Sequence, residues 1–125
     1  MRMLLALVLL SACAAEPPAR DAGSRLSAES VSCIDPARIV SRHAEPPGAI
    51  LFEMAGGRRY RNDLQGSCPG VERANGSEIV ELEVDGTRLC ANDHVRVYDP
   101  VEAKGVGSRA FALCRLGAFT PIASR

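Results

Sequence analysis

Four cysteines constrain this chain more than any other feature of its sequence. Cys33, Cys68, Cys90 and Cys114 are separated by 35, 22 and 24 residues, so none of them forms the closely spaced pair of a zinc knuckle or a C-x-x-C redox motif. An even number of cysteines in a short exported chain is typical of structural disulfides. We therefore predict two disulfides, no metal site and no cofactor.

The spacing leaves three ways to pair these cysteines. We favour Cys33 with Cys114 and Cys68 with Cys90, because the first pair joins the start of the fold to its last strand and the second nests inside it. In the loop-entropy model these pairs contribute about 4.5 and 3.4 kcal/mol. Such a contribution matters for a domain of about 90 residues, since the whole chain has three Phe, two Tyr and no Trp.

Residues 1–12 have the pattern of a secretory signal peptide. One positive charge, Arg2, precedes an apolar run over residues 3–10, which is far shorter than the roughly 20 residues of a membrane-spanning helix. We therefore predict that the segment is removed on export.

The letters LSAC at residues 10–13 resemble the bacterial lipobox, in which the cysteine sulfur receives a diacylglyceryl group before cleavage. This motif predicts lipidation at Cys13, and several acyl chains would make the anchoring permanent. The next residue, Ala14, is not Asp, which favours an outer-membrane lipoprotein facing the periplasm. The alternative is an ordinary signal peptide cut near Ala12 or Ala15.

The chain divides into three parts. After the signal, residues 13–32 contain few large apolar side chains and no regular period, which indicates a lipid-anchored flexible tether. Residues 33–125 then form a single β domain. A short helical turn is predicted at its start, because Asp35 precedes Pro36 in the order of an N-cap and a first helical residue.

A period-two pattern begins at residue 49. Residues 49–54 place alternate apolar side chains on one face, and Gly56-Gly57 marks a turn. Residues 58–64 return with Tyr60, Asn62 and Leu64 on one side and Arg59, Arg61 and Asp63 on the other. We predict a hairpin.

A second hairpin is predicted around Asp85-Gly86, a strong turn dipeptide. In this arrangement residues 79–84 pair with the segment that follows, so that Leu82 lies opposite Leu89. Further strands are predicted at residues 95–98 and from 110 to about 116. Short strands with turn signals at this spacing predict a small, disulfide-linked, antiparallel β-barrel or sandwich, all-β with minor α.

Several of these pieces resemble a family of small exported proteobacterial proteins, the family of domain of unknown function 6491. The matching elements are Cys33-Ile34, Phe52 before a glycine turn, the letters YRNDL and CPG at residues 60–64 and 68–70, LCAND at 89–93, and CRLGAF at 114–119. The resemblance implies an exported domain with paired cysteines and no assigned activity or catalytic residue.

The charge balance of 15 basic and 15 acidic residues argues against a nucleic-acid partner. A local contact surface is predicted at Arg58, Arg59, Tyr60 and Arg61, since guanidinium groups bind phosphates and carboxylates bidentately. Lipopolysaccharide, an acidic glycan or a partner's acidic loop are its conceivable ligands. The alternative is a solvated strand face whose arginines pair with Glu81 and Glu83.

Catalytic chemistry is weakly indicated. His94 beside Asp93 provides an imidazole and a carboxylate, but their spacing does not reveal further partners, and His43 lies in a Pro-rich segment. We therefore predict a non-catalytic binding or structural module of the bacterial envelope. The alternatives are an inhibitor of a lysozyme or protease, acting through a loop at 62–75 or 99–109, and an enzyme.

Overall fold

A computed structural model describes residues 29–124 of the chain. The predicted signal peptide, the predicted lipidation site Cys13 and most of the predicted tether lie outside the described residues. Within the described part there are nine strands, one short α-helix and two 3-10 helices. In chain order they are β1 (Cys33–Ile34), a 3-10 helix (Pro36–Arg38), β2 (Ile39–Glu45), β3 (Ala49–Met54), β4 (Arg59–Asp63), α1 (Pro69–Glu72), β5 (Ile79–Glu83), β6 (Leu89–Cys90), β7 (His94–Tyr98), a second 3-10 helix (Ser108–Ala110), β8 (Leu113–Arg115) and β9 (Phe119–Ile122).

Between residues 29 and 124 the strands form three antiparallel sheets. The largest has the order β2-β3-β4-β9, the second has the order β5-β7-β8, and β1 pairs with β6. The predicted all-β class with minor α is therefore confirmed. Over these residues the sheets do not join into a closed barrel. Instead, the two larger sheets meet at a bridge between Gln65 and Arg115, and the Nε of Arg42 donates to the carbonyl of Val80 at 2.6 Å.

One hydrophobic core lies between the two larger sheets. Phe119 of β9 is completely buried and contacts Phe52 edge-to-face, with ring centroids 5.5 Å apart. The Tyr60 ring approaches Phe119 in the same way at 6.4 Å. Val95 and Val97 of the second sheet belong to the same buried cluster. The removal of this apolar surface from water, with the aromatic contacts, is the main source of the fold's stability.

The first predicted hairpin is confirmed. Strands β3 and β4 pair across the Gly56-Gly57 turn, where both glycines adopt positive φ, a conformation that costs a residue with a Cβ atom. Tyr60 and Asn62 face inward, and Asp63 is exposed, as the alternation of residue types predicts.

The second predicted hairpin is wrong. Strand β5 does not pair with the segment after Asp85-Gly86; it pairs with β7, so that Leu82 lies opposite Val95 rather than Leu89. This register places Val80 opposite Val97, both of which are buried, and so gives β5 a longer apolar partner than the two-residue β6. Leu89 pairs instead with Ile34 of β1.

The domain begins with the predicted helical turn, but the strand that follows this turn was not predicted. The Asp35 carboxylate accepts a hydrogen bond from the Ala37 backbone N–H at 2.9 Å, with Pro36 at the first helical position. The helix ends after one turn, because β2 begins at Ile39. Strand β2, which includes His43, and helix α1 are among the elements that the sequence analysis did not predict.

Within the described part there are two disulfides, but the predicted pairing is wrong. Cys33 bonds to Cys90, and Cys68 bonds to Cys114. The first bond follows from strand pairing, since β1 and β6 place Cys33 directly opposite Cys90. The second joins the segment before α1 to β8, across the core. The two bonds therefore interleave along the chain, and neither is nested inside the other.

Candidate functional site

The four predicted contact residues do not form one surface. Tyr60 is 6% exposed and belongs to the core. Arg59 and Arg61 lie on the opposite, outer face of β4, because side chains alternate along a strand. Arg58 is exposed and precedes the strand, beside the glycine turn. The strand geometry thus separates Arg58 from the other two arginines.

Arg59 and Arg61 are neutralised by carboxylates. The Nε of Arg59 lies 3.4 Å from Glu53, while Arg61 contacts Asp63 at 3.0 Å and Glu45 at 2.9 Å. The hydrogen bond to Asp63, together with the two negative charges, raises the pKa of the Arg61 guanidinium above its usual range. These two arginines are therefore engaged within the sheet.

Glu81 and Glu83, which the alternative interpretation paired with the arginines of residues 58–61, form ion pairs with a different arginine. Both carboxylates pair with Arg96 of the neighbouring strand β7. The two glutamates lie on β5, and β5 is beside β7 rather than beside β4. They therefore contact the arginine of β7 and not the arginines of β4.

Arg58 faces a cleft of about 510 Å³ beside the Cys33–Cys90 disulfide. Three separate segments form its walls: the β1 region with the 3-10 helix, the β3–β4 turn, and the approach to β6. The lining residues are Val31, Cys33, Ile34, Asp35, Arg38, Met54, Ala55, Gly56, Arg58, Tyr60 and Arg88.

Three arginines line this cleft. Arg38, Arg58 and Arg88 are all exposed, and over residues 29–124 none of them lies within 4.0 Å of a carboxylate oxygen. The one carboxylate in the lining, that of Asp35, caps the 3-10 helix through the Ala37 N–H. The cleft lining thus carries three arginines and one carboxylate, and that carboxylate forms no ion pair with any of the three.

Backbone carbonyls hold two of these arginines at the cleft. The Nη2 of Arg38 donates to the carbonyl of Ala55 at 3.4 Å, and the Nη2 of Arg88 donates to the carbonyl of Cys33 at 3.2 Å. A guanidinium has five N–H donors, so each of these bonds leaves the others available to a ligand. Partial immobilisation lowers the entropy that the side chains lose on binding.

The back of the cleft is apolar. Ile34, Met54 and Tyr60 line it and are each less than 10% exposed, at 4%, 7% and 6%. Apolar side chains therefore form part of the cleft lining beside the three arginines.

A neighbouring cleft can be compared with the first as an anion-binding site. About 360 Å³ in volume, it lies along the same turn and includes Arg59. Its arginine is already paired with Glu53, which also lines that cleft. The first cleft is therefore the better anion site of the two.

Asp93 and His94, the pair considered for catalysis in the sequence analysis, lie at the start of β7. The Asp93 carboxylate accepts a hydrogen bond from the Cys90 backbone N–H at 2.7 Å, which is the role of a turn residue. His94 lies in β7 opposite Glu83 and Arg115.

Residues 29–124 contain no cluster of three His, Cys, Asp or Glu side chains suited to a metal ion. The helices found in this part of the chain are too short or too polar to cross a membrane.

Arg38 and Arg88 are the cleft residues that the sequence analysis missed. They are far apart in the chain and meet because Cys33 pairs with Cys90. The cap at Asp35 was a usable signal for Arg38, since it places this arginine at the end of a helical turn. No local pattern marks Arg88, whose position depends on the disulfide.

Comparisons with models of protein families, with curated proteins and with solved structures found no match for the chain.

Proposed function

We propose that the chain is a lipid-anchored, non-catalytic binding module of the bacterial envelope whose cleft takes a phosphate or carboxylate group of an envelope component. The observation that carries this proposal is the cluster of Arg38, Arg58 and Arg88, three guanidiniums at one cleft without carboxylate partners in the described part of the chain. Guanidinium groups bind both kinds of anion through paired hydrogen bonds.

The envelope location is supported by two features of the chain. Two disulfides link residues of the described part, and such bonds persist in oxidising compartments such as the periplasm. The LSAC motif ending at Cys13 favours the same location.

The test is a calorimetric titration of the purified protein with inorganic pyrophosphate and, separately, with citrate. We expect binding of at least one of them, and its weakening at high salt, because the guanidiniums are exposed and their charges are screened. Arg58→Gln should weaken this binding at least fivefold. The two titrations distinguish phosphate from carboxylate recognition.

Arg109→Gln is the matched control, because Arg109 is also exposed but does not line the cleft. Its substitution should leave the affinity within twofold of the original. If neither anion binds, or if both substitutions weaken binding equally, the cleft is not the binding site.

A second candidate function, inhibition of a hydrolase, is favoured by the loop between β7 and β8. Val101 and Val106 on this loop are 69% and 63% exposed, while its base is fixed by the stacked rings of Tyr98 and Phe111, 5.2 Å apart. An anchored loop with apolar side chains suits insertion into a target's cleft. Assaying the protein against lysozymes and proteases distinguishes this function from the first.

The other predicted inhibitory loop, at residues 62–75, is less suited to insertion. It contains the buried residues Cys68 and Val71, and the Cys68–Cys114 disulfide ties it to β8. This segment is therefore part of the packed domain.

A further inference from the structure

We infer that the Cys33–Cys90 disulfide controls the cleft: its reduction by a dithiol disassembles the anion site while the domain stays folded. This inference rests on the proposed anion binding. It follows from three observations: the place of the disulfide in the cleft, the difference in exposure between the two disulfides, and the buried residues beside it.

The disulfide joins the walls of the cleft. Arg38 lies five residues after Cys33, Arg88 lies two residues before Cys90, and Cys33 itself lines the cleft. The strands that the bond connects, β1 and β6, are paired over two residues each. So short a ladder is not stable by itself, and the disulfide adds a covalent link between the segment that carries Arg38 and the segment that carries Arg88.

The two disulfides differ in their access to solvent. Cys68 and Cys114 are 2% and 4% exposed, whereas Cys33 and Cys90 are both partly exposed. Exchange requires a thiolate to reach a disulfide sulfur, so the Cys33–Cys90 bond, whose residues are the more exposed, is expected to be the more accessible of the two. A local reduction is thus separable from loss of the core disulfide.

The residues next to the exposed disulfide explain why the domain survives its opening. Ile34 and Leu89, paired with each other, are 4% and 0% exposed and belong to the core. They hold β1 and β6 to the body of the domain. Residues 85–88, by contrast, are exposed and form no strand, so the Arg88 side chain is the part that is released.

The chemistry is a two-electron thiol–disulfide exchange. A dithiol donates two electrons and two protons; the Cys33–Cys90 sulfur–sulfur bond breaks, two cysteine thiols form, and the reductant becomes a disulfide. The intermediate is a mixed disulfide between the reductant and one of the two cysteines.

The first experiment measures the order of reduction in the full protein. Dithiothreitol is added at low concentration, free thiols are alkylated at intervals, and peptides are identified by mass spectrometry. We expect Cys33 and Cys90 to be modified at least tenfold faster than Cys68 and Cys114, which serve as the internal control. Equal rates, or the reverse order, would overturn the inference.

The second experiment measures binding by the singly reduced, alkylated protein and by the variant with Cys33→Ala and Cys90→Ala. The titrant is pyrophosphate, or citrate if the oxidised protein binds citrate alone. We expect at least fivefold weaker binding with an unchanged far-ultraviolet dichroism spectrum. Binding within fivefold of the oxidised protein would overturn the inference but not the proposed function.

A third measurement needs no variant and no folded reduced form. The same anion, at ten times its dissociation constant, should slow the modification of Cys33 and Cys90 roughly tenfold, because it occupies the cleft that Cys33 lines. The modification of Cys68 and Cys114 should not change. If the oxidised protein binds neither anion, the proposed function fails first; if it binds and gives no protection, the inference alone fails.

Discussion

Asn62 shows how one polar side chain can organise a fold. It is the buried polar residue of the described core, at 0% exposed, and its amide makes two hydrogen bonds to one glycine. The Nδ2 donates to the Gly117 carbonyl and the Oδ1 accepts from the Gly117 N–H, both at 2.8 Å. The side-chain amide thus forms the same pair of hydrogen bonds with Gly117 that the backbone of a neighbouring strand would form. It fixes the turn between β8 and β9.

Asn62→Asp should lower the free energy of unfolding by about 2 to 4 kcal/mol. The carboxylate keeps the shape and one acceptor but loses the donor to the Gly117 carbonyl, and it buries a charge. Denaturation in urea, followed by fluorescence or dichroism, measures the loss.

Asn75→Asp is the control for this substitution. The Asn75 side chain is exposed and uses only its oxygen, which accepts from the Ser77 N–H and hydroxyl, and a carboxylate accepts equally well. A cost at position 75 equal to that at position 62 would contradict this account.

Helix α1 packs against strand β7 with the two backbones in close approach. The helix has only four residues and contacts β7. It approaches so closely that a Cβ on Gly70 would lie 1.9 Å from the carbonyl oxygen of Val97. Glycine is required here by the approach of two backbones, and the buried Val71 next to it fixes the helix to the core.

Gly70→Ala should therefore destabilise the domain by about 1 to 3 kcal/mol, since the helix must move away from β7. Gly48→Ala is the matched control, because a Cβ there meets nothing within 4 Å and the backbone does not have positive φ. We expect its stability to be unchanged or up to about 1 kcal/mol higher. Thermal unfolding of both variants checks the pair, and equal melting temperatures would contradict the close packing.

At the scale of the whole molecule, the interleaved disulfides join segments that are distant in the chain. Their sequence separations are 57 and 46 residues, and each contributes about 4 kcal/mol in the loop-entropy model. The nested pairing gives similar values, because the entropy of loop closure grows only with the logarithm of loop length. Loop entropy could not distinguish the alternatives; strand pairing does.

Joint substitution Cys68→Ala and Cys114→Ala should lower the free energy of unfolding by about 4 kcal/mol. The bond ties the α1 segment to β8, and both of its cysteines are buried in the core. Urea denaturation, after mass spectrometry has verified that Cys33–Cys90 is intact, measures the effect. A loss below 1 kcal/mol would show that packing alone secures this end of the domain.

The sequence by itself determined the local features of this protein: the all-β class, the β3–β4 hairpin at its glycine turn, the cap at Asp35 and the presence of disulfides. Each depends on residues close together in the chain, where alternation and turn chemistry act directly. Only the tertiary structure decided the β5–β7 pairing, the disulfide partners and the meeting of Arg38, Arg58 and Arg88. These features join distant segments whose local patterns allow several partners, and burial of the most apolar surface selects among them.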